Sequence, residues 1–387
     1  MSLSYAQLTT RALQFLQDTG AATYDATETG DWIEDELKRI SQFSPYIYEV
    51  LSPIESRTGT DVTGTASSLT DLVKLQFVAG DATLEKVVHN TKDDTWAVVT
   101  GNTSTSVLTL SADIMDANET YEIYNKRCRN EKQIFLGGMP DYLWIESVEY
   151  PVGTGRKFKL ITKDILELDV DDAVIQDSNP ALTTLNQVDV LIRFAVPQSL
   201  CQLADLAGAV HTAGAVGDTT MQVKTFTDTQ IVESGDLFNI ADHKTTYIIN
   251  SPVTLANQAA AGSTLSFYPG LEAVANINDV VTFVKSTLQP VHEEFLAGLV
   301  TAKAKISDAE RLHILAIADM TAGRLLINTI NKGGGGTSVS GEYLQYAQSG
   351  LKIAADKITT GLQEQAAIIR RLPSIARPSI GENLSRS

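Results

Sequence analysis

Apolar side chains recur most regularly between residues 288 and 372, where they follow alternating steps of four and three. This spacing places them along one side of a helix and is typical of a coiled-coil-like seam. Two such stripes, separated by Gly333–Gly336, predict a helical hairpin over residues 288–372. The first stripe contains Phe295, Leu299, Ala302, Ile306, Ala309, His313, Ala316, Met320, Gly323, Ile327 and Ile330, and the second contains Leu344, Ala347, Leu351, Ala354, Ile358, Leu362, Gln365, Ile369 and Leu372.

A second helical pattern opens the chain, over residues 1–53. Ser4 is placed to cap a first helix, and Asp31 is placed to cap a second one, before Pro45 and Pro53 end the pattern. Because helical patterns occupy both ends of the chain, we expect these helices to gather into one bundle. The stripe of the second helix contains Ile33, Leu37 and Ile40.

Between the helical ends, short apolar runs alternate with turn residues, which is typical of β-strands. Residues 54–132 and 206–287 each predict a β module of the small sandwich or barrel kind, and residues 133–205 predict a central strand-rich segment. The acidic stretch 164–177 lacks the glycine and the terminal glutamate of a calcium loop, so it predicts a solvated turn. The predicted fold class is α+β: a helical bundle formed by the N- and C-terminal helices, with inserted all-β modules and an extended C-terminal tail over residues 373–387.

Charge is distributed unevenly along the 387 residues. A net charge of −17 argues against a free-standing nucleic-acid binder, because phosphate contacts need a positive face. Residues 366–387 nevertheless carry four arginines against one glutamate, a balance of +3 that leaves −20 for the remainder. A solvated tail, or the preference of helix C-termini for cations, would explain this locally. The alternative is a tail that docks on an acidic partner or on another copy, through Arg370, Arg371, Leu372, Ile375, Arg377, Ile380, Leu384 and Arg386.

No arrangement of residues in the sequence predicts catalysis. Lys332 precedes the glycines of segment 331–338 instead of following them, unlike the lysine of a phosphate-binding loop. Cys128 and Cys201 are expected to be reduced core residues of a protein that folds in a reducing cytoplasm. The five histidines, His89, His211, His243, His292 and His313, do not have metal-ligand spacing. A non-enzymatic protein with no catalytic residue, metal site or cofactor is therefore predicted.

No membrane partner is predicted either. The sequence has no run of eighteen apolar residues, and its first residues lack the basic and apolar regions of a signal peptide.

Three segments resemble parts of one known class of proteins. Residues 30–40, continuing to Pro45, resemble the opening helices of head–tail connector (adaptor or neck) proteins of tailed bacteriophages. Residues 88–100 with 108–114 resemble β insertions of phage neck proteins. Residues 234–240 with 268–271 resemble β domains of phage structural proteins. The chain is larger than the compact helical adaptors, because of its β modules.

This resemblance implies a homo-oligomeric ring, commonly a dodecamer, below the portal vertex. The helical core would form the ring, and the C-terminal segment would reach the portal protein. Other neck or tail proteins would be further partners, and genome DNA would pass through the channel without specific binding. The implied location is the head–tail junction of the virion, and the host cytoplasm during assembly.

Two other classes of function stay open at the sequence level. One is a different structural component of the virion, such as a decoration, tail-completion or spike-base protein. The other is a glycan-binding module, because Trp96, Trp144 and Tyr247 lie in β segments where aromatic rings can stack on sugars. Their simpler interpretation is packing within the β modules.

Overall fold

Helices lie at both ends of the chain and antiparallel strands lie between them, in a computed structural model that describes residues 3–18, 20, 23–175, 178, 189–226, 231–255, 262–333 and 338–370. The predicted α+β class is confirmed. In this described part, no helix is both long and apolar enough to cross a bilayer. The helices are α1 (Tyr5–Phe15), α2 (Ala26–Ser41), α3 (Gly80–Thr83), α4 (Pro290–Gly333) and α5 (Ser338–Ile369), with a 3-10 turn at Asp172–Val174.

The strands are short and pair antiparallel throughout the described sheets. In chain order they are β1 (Tyr46–Pro53), β2 (Thr58–Thr60), β3 (Ser68–Thr70), β4 (Val87–Asn90), β5 (Thr95–Ser104), β6 (Val107–Leu110), β7 (Thr120–Tyr124), β8 (Gln133–Phe135), β9 (Trp144–Glu149), β10 (Gly155–Arg156), β11 (Phe158–Thr162), β12 (Ile165–Leu168), β13 (Asp189–Val196), β14 (Ala207–Val210), β15 (Thr220–Lys224), β16 (Ile231–Val232), β17 (Leu237–Ile240), β18 (Tyr247–Ile249), β19 (Val253–Thr254), β20 (Ser263–Tyr268) and β21 (Val280–Phe283).

The chain divides into two compact units, of which the first is helical and contains Met1–Pro45, Gln198–Gln202 and Lys285–Ile375. Its helix α1 begins as predicted, because the Ser4 hydroxyl accepts the N–H of Gln7 and the Gln7 side chain accepts the N–H of Ser4. The predicted cap of α2 is wrong. The cap is Asp25, six residues before Asp31, and the helix begins at Ala26, because the backbone of Asp25 is extended and its carboxylate accepts the N–H of Thr27 at 3.3 Å.

One apolar core joins the helices of this unit. The predicted stripe of α2 is confirmed, since Ile33, Leu37 and Ile40 are all buried. They share a cluster with residues of α1 and with the first turns of α4. The buried members from α1 and α4 are Leu8, Ala12, Leu13, Leu296, Leu299, Val300 and Ala304.

The second unit contains Tyr46–Pro197 and Leu203–Val284 and is built from strands. Its central sheet has the order β1-β13-β9-β10. The helical pattern predicted to reach residue 53 therefore ends at Ser41, and Tyr46–Pro53 is a strand instead. The physical reason is the alternation of side chains along a strand: Tyr48 and Val50 are buried in the core of this unit, while Glu49 and Leu51 are exposed.

The two predicted β modules flank this central sheet in sequence and differ in topology. The first β module is a six-stranded sheet with the order β2-β7-β4-β5-β6-β3. The second closes into a barrel with the order β14-β15-β20-β18-β17-β21, whose interior contains the mutually packed rings of Phe238, Tyr247, Phe267 and Phe283. A barrel, one of the two predicted forms, is thus confirmed for residues 207–283.

The acidic stretch 164–177 is more structured than predicted. Ile165–Leu168 forms strand β12, which pairs with β8 and β11, because Leu166 and Leu168 are buried in the core. The aspartates Asp169, Asp171 and Asp172 after the strand are exposed, in agreement with the solvated part of the prediction.

Candidate assembly surface

The structure describes one of the eight residues predicted to bind a partner. Arg370 follows the last turn of α5, where its N–H donates to the carbonyl of Ala366 at 3.1 Å and its side chain is exposed. The other seven lie outside the described residues: Arg371, Leu372, Ile375, Arg377, Ile380, Leu384 and Arg386. The role of the tail therefore stays a prediction.

The long hairpin that leads to this tail packs through small residues. Helix α4 has 44 residues and helix α5 has 32, so each is at least twice as long as α1 or α2. Ala302, Ala309 and Ala316 of the predicted first stripe are buried. From α5, Ala354 is buried with them. The turn at Gly334–Gly336 lies outside the described residues.

Two predicted members of the stripes do not face the seam. His313 is exposed, and Leu362 is exposed with Gly361 taking its place against α4. The reason is a close approach, because a Cβ on Gly361 would lie 2.6 Å from Cγ1 of Ile306. The side chain of Ile306 thus fills the space that a side chain at position 361 would need, which fixes the rotation of α5.

Farther along α4, apolar residues occupy most of the helix surface. Six of the seven residues from Leu312 to Ala318 are apolar. Ala316 faces α5, while Ile314 and Leu315 are 67% and 61% exposed and Ile317 is 44% exposed. Successive residues are about 100° apart around a helix, so these side chains cover the sides that α5 leaves open.

The exposed apolar surface continues onto α5. Gly350 of α5 lies beside Ala316 of α4, because a Cβ on Gly350 would be 3.1 Å from the Cβ of Ala316. Ile353 comes three residues after Gly350, so it lies within one helical turn of Ala316 along the hairpin. Ile353 is 51% exposed. We name Ile314, Leu315, Ile317 and Ile353 the hairpin belt. A helix that is apolar all round is normally buried on every side, and a soluble chain rarely exposes such a surface without a partner.

Charged residues beside the belt pair within the chain. Lys357 contacts Asp308 at 3.3 Å, and Lys305 contacts Glu364 at 2.7 Å. Arg311 pairs with Glu28 of α2, whose carboxylate raises the pKa of the guanidinium. These pairs are partly exposed, so solvent weakens each of them. They set the register of the helices and leave the belt itself apolar.

The concave features near the belt do not assemble reactive groups. A groove of about 420 Å³ between α4 and α5 is lined by Lys305, Asp308, Ile353, Asp356, Lys357 and Thr360. Among the described residues, no group of three or more His, Cys, Asp or Glu side chains is placed to hold a metal ion.

The aromatic residues considered for glycan binding lie within packed surroundings. Tyr247 is buried inside the barrel. Trp96 is stacked on His89 with ring centres 3.9 Å apart, and the guanidinium of Arg129 lies 4.4 Å from the centre of its ring. Trp144 donates its indole N–H to Glu146 at 2.8 Å.

No known protein family, curated protein or solved structure matches this chain. Its function is therefore inferred from its own residues and their geometry. Sequence reasoning missed the hairpin belt because it followed a single stripe along each helix. The available signal was the almost continuous apolar run from Leu312 to Ala318, which is too wide for one seam.

Proposed function

We propose that this protein is a structural subunit of a homo-oligomeric assembly. The observation that carries the proposal is the hairpin belt, an apolar surface around a long helix that the described part of the chain leaves exposed. Packing against the hairpin of a neighbouring copy would remove Ile314, Leu315, Ile317 and Ile353 from water, which favours association by about 25 cal/mol per Å² of apolar surface buried.

Within that class, we propose a head–tail adaptor of a tailed bacteriophage. The three segments that resemble phage connector and neck proteins support this choice, as does the occurrence of helices at both ends of the chain. In this proposal the N- and C-terminal helices form the bundle that builds a ring below the portal. The β modules are insertions in that bundle, and the extended tail docks on the portal protein.

Charge supports the same proposal. A chain of −17 would give a ring a negative channel, which repels DNA phosphates and lets the genome pass without specific binding. The +3 balance of residues 366–387 suits a tail that leaves this acidic body for a partner with matching carboxylates.

Assembly is tested with the full chain and a matched pair of variants. We expect the purified protein to form rings in electron micrographs and a single high-mass species in native mass spectrometry. Ile314→Glu with Leu315→Glu should abolish the rings, because it places charges in the belt. Leu160→Glu with Ile161→Glu changes two side chains of the second unit that are 45% and 46% exposed, and it should leave the rings intact.

Circular dichroism must show the same helix content for both variants. A parent protein that stays monomeric, or a belt variant that still forms rings, would refute the proposed assembly.

The symmetry of the particle distinguishes the adaptor from the other virion components. Twelvefold rings support the adaptor, whereas threefold or sixfold particles support a decoration, tail-completion or spike-base protein. Deleting residues 373–387 should abolish attachment to portal-containing particles and leave the rings unchanged. Attachment of the truncated ring would show that the tail does not dock on the portal.

A further inference from the structure

The loop between β3 and α3 displays apolar side chains in the second unit. Val73 is 82% exposed, the largest value for a large apolar side chain among the described residues, and Leu72 and Leu75 are also exposed. The one charged side chain among them is Lys74. We name residues 72–75 the tip. Several apolar side chains gathered on one exposed loop indicate a contact surface for another molecule.

The tip is rigid because buried polar groups hold its backbone. Asp71 is buried, and its carboxylate accepts the N–H groups of Val73 and Lys74, each at 2.9 Å. The hydroxyl of Tyr121 donates to the same carboxylate at 2.7 Å. Leu75 has a φ of 49°, a left-handed conformation that is unfavourable for a bulky side chain and persists only where the surroundings impose it.

A buried ionic cluster fixes the other end of the loop. The guanidinium of Arg57 donates to the carbonyl of Gln76 at 2.8 Å and pairs with both Glu55 and Asp81. Asp81 in turn accepts the N–H of Val78 at 3.0 Å. A loop that is ordered before binding loses little conformational entropy on contact, so its exposed apolar side chains are well placed to act as binding anchors.

A second exposed apolar surface lies on neighbouring turns of the barrel. Val216, Val274 and Ile277 are exposed, and two backbone hydrogen bonds between Gly214 and Ala275 hold their turns together. We name these three residues, with Asp218 and Asp279, the rim.

The rim differs from the tip in charge. Asp218 and Asp279 accept backbone N–H groups of their own turns, at 2.7 and 2.6 Å, and neither forms an ion pair with any described residue. The rim is therefore apolar and negative.

Helix α3 lies between the tip and the rim. At one end, Arg57 holds both Gln76, the residue after the tip, and Asp81 of α3. At the other end, Cδ2 of Leu84, the residue after α3, lies 3.5 Å from the position that a Cβ on Gly217 of the rim turn would occupy. Lys74 has the opposite charge to the rim and contacts only the hydroxyl of Thr58, at 3.1 Å, with no carboxylate partner among the described residues. The tip thus carries a cation among apolar side chains, and the rim carries carboxylates among apolar side chains.

We infer that the tip and the rim bind a second copy of the chain, with the tip of each copy against the rim of the other. A two-fold arrangement makes the contact twice and places each Lys74 near Asp218 and Asp279 of the other copy. Charge complementarity selects this occupant. The tip of one copy offers a cation to the negative rim of the other. The contact is separate from the hairpin belt.

The contact is tested by cross-linking mixtures of two single variants, Val73→Cys and Ile277→Cys. The native cysteines do not interfere, because both are buried and burial raises the pKa of the Cys128 thiol to about 12. A short bis-maleimide should join the two variants at least tenfold more efficiently in the mixture than in either variant alone. Val152→Cys, at another exposed apolar position of the second unit, serves as the matched control partner.

Charge variants test the recognition itself. Lys74→Met should lower the cross-linking yield, and Asp218→Asn with Asp279→Asn should lower it similarly while keeping oxygens that accept the turn N–H groups. Combining the two changes should cost little more than either alone, because they remove the same interaction. Cross-linking that matches the Val152→Cys control, or that is insensitive to all these charges, would overturn the proposal.

The same mixtures in the Ile314→Glu and Leu315→Glu background separate this contact from the proposed ring. Cross-linking should persist there. Its loss together with the rings would show that the tip and rim meet only as a consequence of assembly through the belt, and would refute a separate contact.

Discussion

Arg57 and Asp81 form a two-point ion pair inside the first β module, with N–O distances of 2.6 and 3.0 Å and both side chains buried. Glu55 binds the same guanidinium at two further points, and Lys86 contacts Glu55 at 2.8 Å. The four charges therefore balance within one cluster. Such a cluster holds the backbone of the tip in place, and its stability depends on every member being present.

Asp81→Asn should destabilise the second unit by about 3–5 kcal/mol, because it leaves Arg57 with incomplete charge compensation in a buried site. Urea unfolding followed by tryptophan fluorescence measures the change. A Trp32→Phe background leaves Trp96 and Trp144, both in the second unit, as the reporters. Lys163→Ala removes an exposed pair with Asp141 and should cost far less, because solvent screens that pair. Equal costs for the two variants would contradict the role of the cluster.

The cluster also predicts sensitivity to acid. Burial alone raises the pKa of Glu55, but Lys86 and Arg57 outweigh it and hold the pKa well below its usual range. The stabilisation is therefore complete above the unfolded-state pKa of about 4.3 and is lost as the pH falls from there toward the lowered folded-state pKa. The urea midpoint of the second unit should fall between pH 5.5 and pH 3.5. Glu55→Gln should be less stable than the parent at pH 5.5, but its urea midpoint should fall less on acidification. If the midpoints of the variant and the parent fall equally, Glu55 is not a source of the acid sensitivity.

His292 predicts a different pH dependence in the helical unit. It is buried at the start of α4, and neither ring nitrogen has a hydrogen-bond partner among the described residues. Burial lowers the pKa of this imidazole. As the pH falls below about 6.5, His292 is therefore protonated in the unfolded chain before it is protonated in the folded one. The free energy of unfolding declines over this range, and the decline ends once the pH is below the lowered folded-state pKa.

His292→Met should remove this part of the decline between pH 7.5 and pH 5.5. The measurement is urea unfolding followed by Trp32, in a background with Trp96→Phe and Trp144→Phe. The exposed His313→Gln serves as the control and should keep the pH dependence of the parent. If His292→Met and the parent lose the same stability, His292 is not responsible.

The close packing at Gly361 predicts that replacing this glycine with alanine lowers the stability of the helical unit, the opposite of the usual effect inside a helix. Alanine is favoured over glycine inside a helix by about 1 kcal/mol. At this position a Cβ would meet Ile306 at 2.6 Å and the carbonyl of Ala302 at 3.3 Å, so Gly361→Ala should destabilise the helical unit by about 1–3 kcal/mol. Gly298→Ala is the matched control, because its Cβ would meet only the movable end of Ile368, at 3.1 Å. A stabilising Gly361→Ala would show that α5 does not pack this closely, and the Trp32 reporter measures both variants.

Local patterns were sufficient for much of the fold. The Ser4 cap, the stripe of α2 and the extent of the two long helices follow from backbone capping and from a period close to 3.6, which depend on nearby residues alone. The β character of residues 54–285 follows in the same way from alternation and turn residues. Asp25 was overlooked as a cap because Asp31 has the same chemistry, and only the backbone conformation distinguishes them.

The sequence by itself determined the class of fold, the order of helical and β segments and the uneven charge of the chain, because these depend on residues close together along it. Tertiary structure decided which surfaces are open. Whether Leu362 or Gly361 faces Ile306, and whether the apolar run from Leu312 to Ala318 is covered, depends on how α4 and α5 rotate against each other. The cluster of Arg57 with Asp81 joins residues 24 positions apart. No local period encodes that contact, because folding brings distant charges together only through the packing of the strands between them.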